Sequence, residues 1–520
     1  MSESENQTTT ANAPGFDRDA VFEGTLTELR AADPEPVAHF VDGEELAEGE
    51  VIWREDPCHP ASTVSGCYDA SQQVVAAALD AARRAAPAWT ALGGVGRAER
   101  MRAAARLLDE ERLTRIAATI ALETGKSRAE GMIEAEELKV LLERYADIAA
   151  APDSFADPLV PGHPKLRSES VLRPYGVFGV IAPFNYPTVQ GAGPAIAALL
   201  AGNTVVMKPA HLGPRSAHEF IELMRECDLP PGVVNMVHGG DEPGKALVSG
   251  GPDGMVFTGS HAAGMSILRA MQSGAFPRPV VSEMGGSNPV IVTETADLVR
   301  AADGIAISAF GLSGQRCTAC SRAVVVDEVH DEFVALLARR TAELVVGDPI
   351  DRDVFTGPLI ARNVVADFDS VIGRAYEDGT IAAGGGHVAD RGYCVEPTVI
   401  ADLPRGHELT REELFMPVLT VTKATDFDDA VREANDTNLG LTAGIYTGSA
   451  DEARAYLTRA EAGCVDVNVP GAATTGWWPG NQTFGGWKGS GSTGKQAFGR
   501  WYVQQFGRQR CQSVATDFEL

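Results

Sequence analysis

Short apolar runs alternate with longer blocks of helical periodicity along most of this 520-residue chain. In residues 71–148, which are rich in Ala, Leu and Arg, apolar positions recur every three or four residues, and this predicts two or three long helices. Residues 162–173 instead alternate polar and apolar side chains. That alternation is typical of an exposed, extended strand, and we expect this segment to leave the main sheet.

Beyond residue 176 the chain switches repeatedly between short apolar runs and helical blocks. The apolar runs are residues 177–181, 204–207, 233–237 and 255–257. Strands that alternate with helices predict parallel βαβ units, and a nucleotide site is expected at the carboxyl ends of such strands. A second α/β series is predicted from about residue 279 to 463, and it includes a helix over residues 330–345. Glycine clusters at 93–96 and 384–386 are interpreted as turns.

The composition fits a large globular α/β enzyme, with 44% apolar residues. Its charge is unusual, because 71 acidic residues face 44 basic ones and give a net charge of −27. Such a surface repels nucleic acid and anionic membranes, and it keeps a protein dissolved at high salt. We therefore hypothesise a halophilic protein, with a moderately acidic protein of a mesophile as the alternative.

The cysteine content and the amino-terminal residues bear on cellular location. Eight cysteines in 520 residues are too sparse for a disulfide scaffold and fit reduced thiols in a cytoplasmic protein. Residues 1–15 are polar and contain neither a basic nor an apolar signal region, so a disordered tail is predicted. No apolar run approaches the roughly 18–20 residues of a membrane span.

Cys317 and Glu283 are the candidates for chemistry. Small residues at 313 and 314 precede the thiol, and they allow backbone amides to approach a substrate oxygen. A cysteine attacks a carbonyl carbon as its thiolate, and a carboxylate with a pKa raised by burial can activate the water that later removes the acyl group. The pair indicates covalent chemistry at a carbonyl, either in an oxidoreductase or in a thiol hydrolase.

Cys317 also forms a Cys-x-x-Cys pair with Cys320. Such a pair is compatible with a redox dithiol or with half of a zinc site. A second cysteine pair with ligand spacing is missing from the sequence and the ten histidines are scattered, so no metal is predicted. Cys320 is interpreted as a thiol packed behind Cys317. Oxidation would allow the two cysteines to form a disulfide.

Polar residues at strand ends complete the candidate site. Asn185 follows the strand at 177–181, where its amide is placed to donate to an oxyanion. Lys208 ends the next strand, where its ammonium is placed to meet ribose hydroxyls or a phosphate. Residues 257–264 join a strand to a helix whose first amides are placed to bind pyrophosphate, although they match the glycine-rich dinucleotide fingerprint only in part.

Seven motifs, in this order, resemble those of the aldehyde dehydrogenase superfamily, and the resemblance covers about residues 40–510. The motifs are Phe184-Asn185-Tyr186-Pro187, Lys208-Pro209, Phe257-Thr258-Gly259-Ser260, Glu283-Met284-Gly285-Gly286, Gly314-Gln315-Arg316-Cys317, Glu412-Glu413-Leu414-Phe415 and Phe484-Gly485-Gly486-Trp487-Lys488. Together they form a highly specific combination.

The resemblance implies a Rossmann-like cofactor domain, an α/β catalytic domain and a small β arm for homodimers or homotetramers. The expected divisions are a tail at 1–20, the cofactor domain at 21–154 and 174–282, the catalytic domain at 283–480, and the arm at 155–173 and 500–520. The resemblance implies that Cys317 is the nucleophile and Glu283 the general base. It implies that Asn185 and the Cys317 amide form the oxyanion hole. Expected contacts to NAD or NADP come from Lys208, His211, Gly259, Ser260, Gly264, Glu413 and Phe415.

The motifs around Cys317 are most similar to those of glutamate semialdehyde (1-pyrroline-5-carboxylate) dehydrogenases. That resemblance implies that Thr318 and the Gly476 loop hold the substrate's α-carboxylate. Trp477 departs from the small residue usual there, so succinate semialdehyde, ketoglutarate semialdehyde and a more apolar aldehyde stay open. His211 stands where many NAD-using members carry Glu, which makes NADP acceptance a hypothesis. The rival classes are a thiol hydrolase or acyltransferase without nicotinamide, and a binding protein that has lost activity.

Overall fold

The computed structural model describes residues 16–160, 162–470 and 482–519. The helices are α1 (Arg18–Ala31), α2 (Gln72–Ala91), α3 (Gly93–Leu107), α4 (Glu110–Thr124), α5 (Arg128–Ala150), α6 (Val189–Leu200), α7 (Pro214–Arg225), α8 (Asp241–Ser249), α9 (His261–Gln272), α10 (Leu298–Phe310), α11 (Asp327–Ala342), α12 (Arg362–Asp378), α13 (Phe427–Asn435) and α14 (Ala450–Arg459).

The strands are β1 (Pro36–Val37), β2 (His39–Val41), β3 (Glu44–Leu46), β4 (Val51–Glu55), β5 (Thr63–Tyr68), β6 (Ala156–Pro158), β7 (Leu166–Pro174), β8 (Val177–Ile181), β9 (Thr204–Lys208), β10 (Val234–Met236), β11 (Gly254–Gly259), β12 (Val280–Met284), β13 (Asn288–Val292), β14 (Cys320–Val326), β15 (Thr380–Ala383), β16 (Thr398–Ala401), β17 (Val418–Ala424), β18 (Leu439–Gly440), β19 (Thr442–Tyr446), β20 (Cys464–Val467), β21 (Trp487–Lys488) and β22 (Gly507–Ala515). They form two large sheets and three small ones.

The first large sheet has the order β12-β11-β8-β9-β10-β2-β3, and strands β8 to β12 run parallel in it. Its strands are buried on both faces by helices, which explains their nearly continuous apolar runs. Ile181 pairs with Lys208, and Thr258 pairs with Glu283. The carboxyl ends of four strands therefore meet at one edge, as the βαβ pattern predicts.

The second large sheet has the order β15-β16-β17-β14-β13-β19-β20, and only its edge strand β15 is antiparallel. Valines and alanines of β13 and β14 pack beneath α10 and α11 in one of its core clusters. Asn288, the first residue of β13, pairs with Cys320, the first residue of β14. The chain segment that carries Cys317 therefore lies at the amino-terminal edge of this sheet.

The predicted start of the second α/β series at residue 279 is wrong. Val280 and Val281 belong to β12, which pairs in parallel with β11 of the first sheet. Glu283 accordingly lies in a first-sheet strand, although the expected catalytic domain began with it. The second sheet begins at Asn288.

The helical block contains four helices rather than two or three. Asp109 caps α4 by accepting from the amide of Arg112 at 2.9 Å, and Ser127 caps α5. Gly125 ends α4 in the left-handed conformation with φ of +75°. The glycine cluster predicted as a turn is helical, because α3 begins at Gly93. Helix α1 begins at Arg18, which lies within the tail predicted over residues 1–20.

The segment predicted as an extended strand forms β7, which lies between β22 and β6 in a three-stranded antiparallel sheet. Nine residues of β22 pair with nine of β7, from Gly507 opposite Pro174 to Ala515 opposite Leu166. Most of these side chains are exposed or partly exposed. The use of this sheet as an oligomerisation arm stays a prediction. Among the described residues no helix combines the length and apolarity needed to cross a bilayer.

A buried ion pair fixes the start of α6, next to the loop that carries Asn185. Lys126 and Glu134 pair with both side chains fully buried, and the Lys126 ammonium lies 3.5 Å from the centroid of the Tyr186 ring. Glu134 also accepts the amide hydrogens of Thr188 at 2.9 Å and Val189 at 3.3 Å. One carboxylate therefore neutralises a buried cation and satisfies free amides at a helix start.

Replacing Lys126 with Met would leave the Glu134 carboxylate buried without its cation. Breaking a buried pair from one side costs about 3–5 kcal/mol, so we expect a melting temperature several degrees below wild type in differential scanning calorimetry. Lys139→Met is the control, since Lys139 is only partly buried and its Nζ donates to one carbonyl, Leu108 O, at 2.9 Å. An equal decrease in melting temperature in the two variants would contradict a special contribution from the Lys126–Glu134 pair to stability.

Candidate active site

Cys317 follows a left-handed turn. Leu312, Ser313 and Gly314 have φ of +49°, +51° and +66°, a region that non-glycine residues seldom adopt. A Cβ at Gly314 would lie 2.2 Å from the carbonyl oxygen of Met416, so only glycine fits there. Backbone strain of this kind persists where surrounding contacts hold it in place, and it concentrates at functional sites.

Contacts to residues 356–360 hold the turn. The Ser313 amide donates to Thr356 Oγ1 at 2.6 Å. Gln315 is fully buried, and its Nε2 donates to Leu312 O at 3.1 Å while its Oε1 accepts from the Ile360 amide at 2.8 Å. Gln315 therefore ties the strained turn to a neighbouring segment, a positioning role that its place in the cysteine motif does not reveal.

Asn288 fixes the backbone on the other side of Cys317. Its Nδ2 donates to the carbonyl oxygens of Cys317 at 2.7 Å and Ala319 at 2.9 Å, and its Oδ1 accepts from the Thr442 amide at 3.0 Å. One buried amide side chain thus joins β13, the Cys317 loop and β19. The sequence analysis missed Asn288; its only signal is a polar residue at the start of an apolar run.

Glu283 approaches from β12 and is held by the carboxyl-terminal motif. The amide of Gly486 donates to Glu283 Oε2 at 3.3 Å, and the Met284 amide donates to Ser490 O at 2.8 Å. Burial raises the pKa of Glu283 to about 8, and the Gly486 hydrogen bond opposes this shift only in part. A carboxyl that titrates near neutral pH suits a general base.

The Cys317 thiol lies within the field of two carboxylates. Burial raises its pKa to about 12, and the charges of Glu413 and Glu283 add to the effect. Glu413 accepts from the Gly286 amide at 3.0 Å, and burial raises its own pKa to about 7. A Cβ at Gly285 would clash with the Glu413 carboxylate. The structure thus brings Cys317, Glu283 and Glu413 together, as expected for one site.

Asn185 lies in the loop after β8 and is 3% exposed. The ring of its neighbour Phe184 meets the ring of Phe415 edge-on, with centroids 5.9 Å apart. Phe415 has φ of +55° and directly follows the Glu413-Leu414 segment. The Asn185 loop is therefore packed against the loop that carries Glu413. Donation by Asn185 to an oxyanion stays a prediction.

Lys208 and His211 form a second part of the site at the end of β9. Lys208 is buried, and burial lowers the pKa of its ammonium although Asp241 opposes the shift. Within the described ranges no carboxylate lies at ion-pair distance from it. Burial and the Lys208 charge lower the pKa of His211, so its imidazole is neutral at pH 7.

Ser260 caps α9, where its Oγ accepts from the Ala263 amide at 3.4 Å. The first residues of α9 are exposed, which leaves a helix amino terminus open to an anion. Gly259 ends β11. Gly264 is buried, and a Cβ there would lie 2.5 Å from Met284 Sδ, so this glycine allows α9 to pack closely on the sheet.

The remaining predicted residues divide between the described and undescribed parts of the chain. Thr318 is buried and directly follows Cys317. Gly476 and Trp477 lie outside the described residues. Cys320 is fully buried, its Sγ donates to Arg322 O at 3.5 Å, and burial raises its pKa to about 12. These surroundings suit the interpretation of Cys320 as a packed thiol.

One group of potential metal ligands occurs in the described residues: Glu45, His218 and Glu222. It lies at β3 and α7 and includes none of the predicted site residues. The Arg225 guanidinium forms ion pairs with Glu45 at 2.8 Å and with Glu222 at 3.1 Å, so these carboxylates already have a cationic partner. The prediction of no metal at Cys317 and Cys320 concerns a different place and stays a prediction.

Comparison with known proteins identifies the family of this chain. The model of the aldehyde dehydrogenase family matches residues 46–511. The two α/β sheets agree with the Rossmann-like cofactor domain and the α/β catalytic domain that the resemblance implies. The chain belongs to the aldehyde dehydrogenase family and is an enzyme of that class.

Two curated relatives differ in substrate. A 1-pyrroline-5-carboxylate dehydrogenase of Staphylococcus aureus is 33% identical over 510 residues, which cover 93% of this chain and 95% of the relative. An alpha-ketoglutarate semialdehyde dehydrogenase of Haloferax volcanii is 34% identical over 468 residues, covering 88% and 95%. Among solved structures, a 1-pyrroline-5-carboxylate dehydrogenase from Thermus with bound NAD is similar, with a TM-score of 0.91, 28% identity and 98% coverage of both chains.

Replacing Glu413 with Gln would remove one of the charges that raise the pKa of Cys317. We expect iodoacetamide to alkylate Cys317 about 2–5 times faster at pH 8.5 without cofactor, because a larger fraction of the thiol is ionised. Glu412→Gln is the control, as this neighbouring side chain is exposed and does not act on Cys317. The measurement is the alkylation rate by peptide mass spectrometry. An unchanged or slower rate in Glu413→Gln would refute the electrostatic coupling.

Proposed function

We propose that this protein oxidises an aldehyde to a carboxylic acid through a thiohemiacetal and then a thioester on Cys317, with NAD or NADP as the oxidant. The observation that carries the proposal is the shared site of the thiol and the Glu283 carboxyl, whose pKa is raised to about 8. A thiol hydrolase without nicotinamide accounts for the same pair but leaves the Lys208 region and the open start of α9 without a role.

The described residues fit a nicotinamide dinucleotide. The buried Lys208 ammonium offers a cation without a carboxylate at ion-pair distance in the described segments, and Ser260 with the exposed first turn of α9 offers donors for phosphate. Glu413 and Phe415 lie next to the Cys317 side of the site. When bound there, the nicotinamide supplies the acceptor for the hydride that leaves the substrate carbon.

The residues of the chain account for the remaining steps. Cys317 must give its proton to solvent water before its sulfur bonds to the aldehyde carbon, because the resting thiol has a pKa of about 12. Asn185 and the Cys317 amide donate to the oxygen on which negative charge develops. Loss of hydride from this carbon leaves a thioester. Ionised Glu283 then takes a proton from water, the water oxygen bonds to the acyl carbon, and the carbon–sulfur bond breaks.

For the cofactor, the surroundings of His211 favour NAD. A neutral imidazole brings no positive charge to a 2′-phosphate. Among the charged groups that act on the His211 pKa, the cations of Lys208 and Arg54 are matched in number by the carboxylates of Asp241 and Asp69, so no excess of positive charge is left for the additional phosphate of NADP. The bound NAD in the similar Thermus enzyme supports the same choice.

For the substrate, we propose a small semialdehyde that carries a carboxylate, with glutamate semialdehyde first and ketoglutarate or succinate semialdehyde as alternatives. The names of the two curated relatives support this class. Thr318, which is buried directly after the nucleophile, is the proposed carboxylate contact in the described part of the chain. Contacts from Gly476 and Trp477 remain predictions. Assembly into homodimers or homotetramers through the β6-β7-β22 sheet is likewise proposed.

Two variants separate the catalytic roles. Cys317→Ala is expected to abolish NADH formation, whereas Glu283→Gln is expected to give one NADH per site and then slow by about 100-fold or more, because water is no longer activated. In wild type the steady-state rate should rise through pH 8 as Glu283 ionises, and this rise should vanish in Glu283→Gln. Stopped-flow absorbance at 340 nm measures both. Normal turnover by Glu283→Gln would overturn the assignment of the base.

A panel of aldehydes tests the proposed substrate and cofactor. We expect kcat/KM for glutamate semialdehyde to exceed that for an uncharged aldehyde of equal length by about 100-fold, since an aldehyde without a carboxylate leaves the buried polar groups that would bind it unpaired, at a cost of about 1–3 kcal/mol or more. NAD should be preferred to NADP. The panel is measured by NAD(P)H formation in low and high salt. A preference for apolar aldehydes would contradict the substrate class, and no NAD(P)H with any aldehyde would favour the thiol hydrolase.

A further inference from the structure

A cleft of about 920 Å³ lies at the root of the small antiparallel sheet formed by β6, β7 and β22. Its lining comes from α2, from the end of β7 with the start of β8, and from the start of β22. None of the residues assigned above to the substrate or the cofactor contributes to it. Its volume is within the range of about 300–1,000 Å³ that is usual for small-molecule sites.

The charge of this cleft is opposite to that of the whole protein. Four arginines line it: Arg83, Arg173, Arg508 and Arg510. The only carboxylate in its lining is Asp253. In a chain with a net charge of −27, four guanidinium groups around one concave surface form an isolated basic site. Such an arrangement focuses a positive potential and favours a negatively charged ligand.

The strand register places arginines opposite each other, and their repulsion lowers the stability of the strand pair when no anion is bound. Arg173 of β7 lies directly opposite Arg508 of β22, and Arg510 projects from the same face two residues further along β22. Like charges directly opposite each other destabilise an antiparallel pair. In residues 16–160, 162–470 and 482–519, no carboxylate forms an ion pair with any of these three arginines.

Neighbouring groups position the arginines without neutralising all of them. Arg83 pairs with Asp80 at 2.9 Å. The Arg508 guanidinium lies 5.8 Å from the centroid of the Tyr175 ring, and Arg510 donates to the Gln512 side chain. Asp253 accepts from the Val177 amide at 2.9 Å, so its Oδ2 is directed to the backbone. At least three of the positive charges are therefore available to a ligand.

We propose that this cleft binds a small anion with two or more negative charges on phosphate or carboxylate groups. Guanidinium groups match the geometry of both kinds of oxyanion through paired N–H donors. An anion bound between Arg173 and Arg508 removes the repulsion across the strand pair. Because the cleft connects β7 and β22 with α2 and β8, its occupation stabilises the attachment of the small sheet to the first large sheet.

Isothermal titration calorimetry on the full-length protein tests this site, with pyrophosphate and citrate as separate probes at constant ionic strength. Saturating NAD is present so that pyrophosphate cannot occupy the nucleotide site. We expect wild type to bind, and Arg173→Gln/Arg508→Gln to bind about 10-fold more weakly or worse, because hydrogen bonds to charged groups are lost. Arg167→Gln is the matched control, since Arg167 is exposed on the same face of β7 but does not line the cleft.

The two probes distinguish phosphate from carboxylate ligands, and a response to either supports the site. Aldehyde oxidation by the double variant verifies that it has folded. If that variant does not fold, Arg510→Gln alone replaces it, with weaker binding again expected. Equal affinity of wild type and the arginine variants, or no binding of either probe, would overturn the proposal. Loss of oligomerisation in light scattering of the double variant, without anion binding by wild type, would instead make the cleft a subunit contact.

Discussion

The proposed chemistry of this protein depends on one physical constraint: a thiol and a carboxyl whose pKa values are raised by burial must share one site. Removal from water raises the pKa of Cys317 to about 12 and that of Glu283 to about 8. The charge of Glu283 acts on the thiol in the same direction, because a nearby negative charge disfavours the thiolate. In the proposed reaction the two groups therefore act in sequence, first the sulfur as nucleophile and later the carboxylate as base.

The fold supports this constraint by joining two sheets at the site. Glu283 lies near the carboxyl end of a first-sheet strand, whereas the Cys317 loop precedes the first residue of β14 in the second sheet. Asn288 and Gln315 hold the cysteine loop through backbone hydrogen bonds, and Gly486 fixes the carboxylate. Preorganisation of this kind spares the protein the cost of arranging the groups during reaction.

The fold class and the family could be predicted because they leave strong local signals. Strands β8 and β9 were predicted from apolar runs of the length of a strand. The motifs around Cys317 and Glu283 are highly specific to the family. The sheet to which a strand belongs was harder to predict. The apolar pair Val280 and Val281 fits a strand of the first sheet as well as a strand of the second. Asn288 and the arginine pair at 173 and 508 depend on tertiary contact and strand register, which sequence spacing does not contain.

Intact-protein mass spectrometry of a rapidly quenched reaction tests the central claim most directly. Glu283→Gln mixed with aldehyde and NAD should gain one acyl group per subunit, a mass increase equal to that of the aldehyde minus two hydrogens, and peptide mapping should place this group on Cys317. Reaction in the absence of NAD should leave no stable acyl group. An acyl group on another residue, or none at all while NADH forms, would contradict a thioester at Cys317.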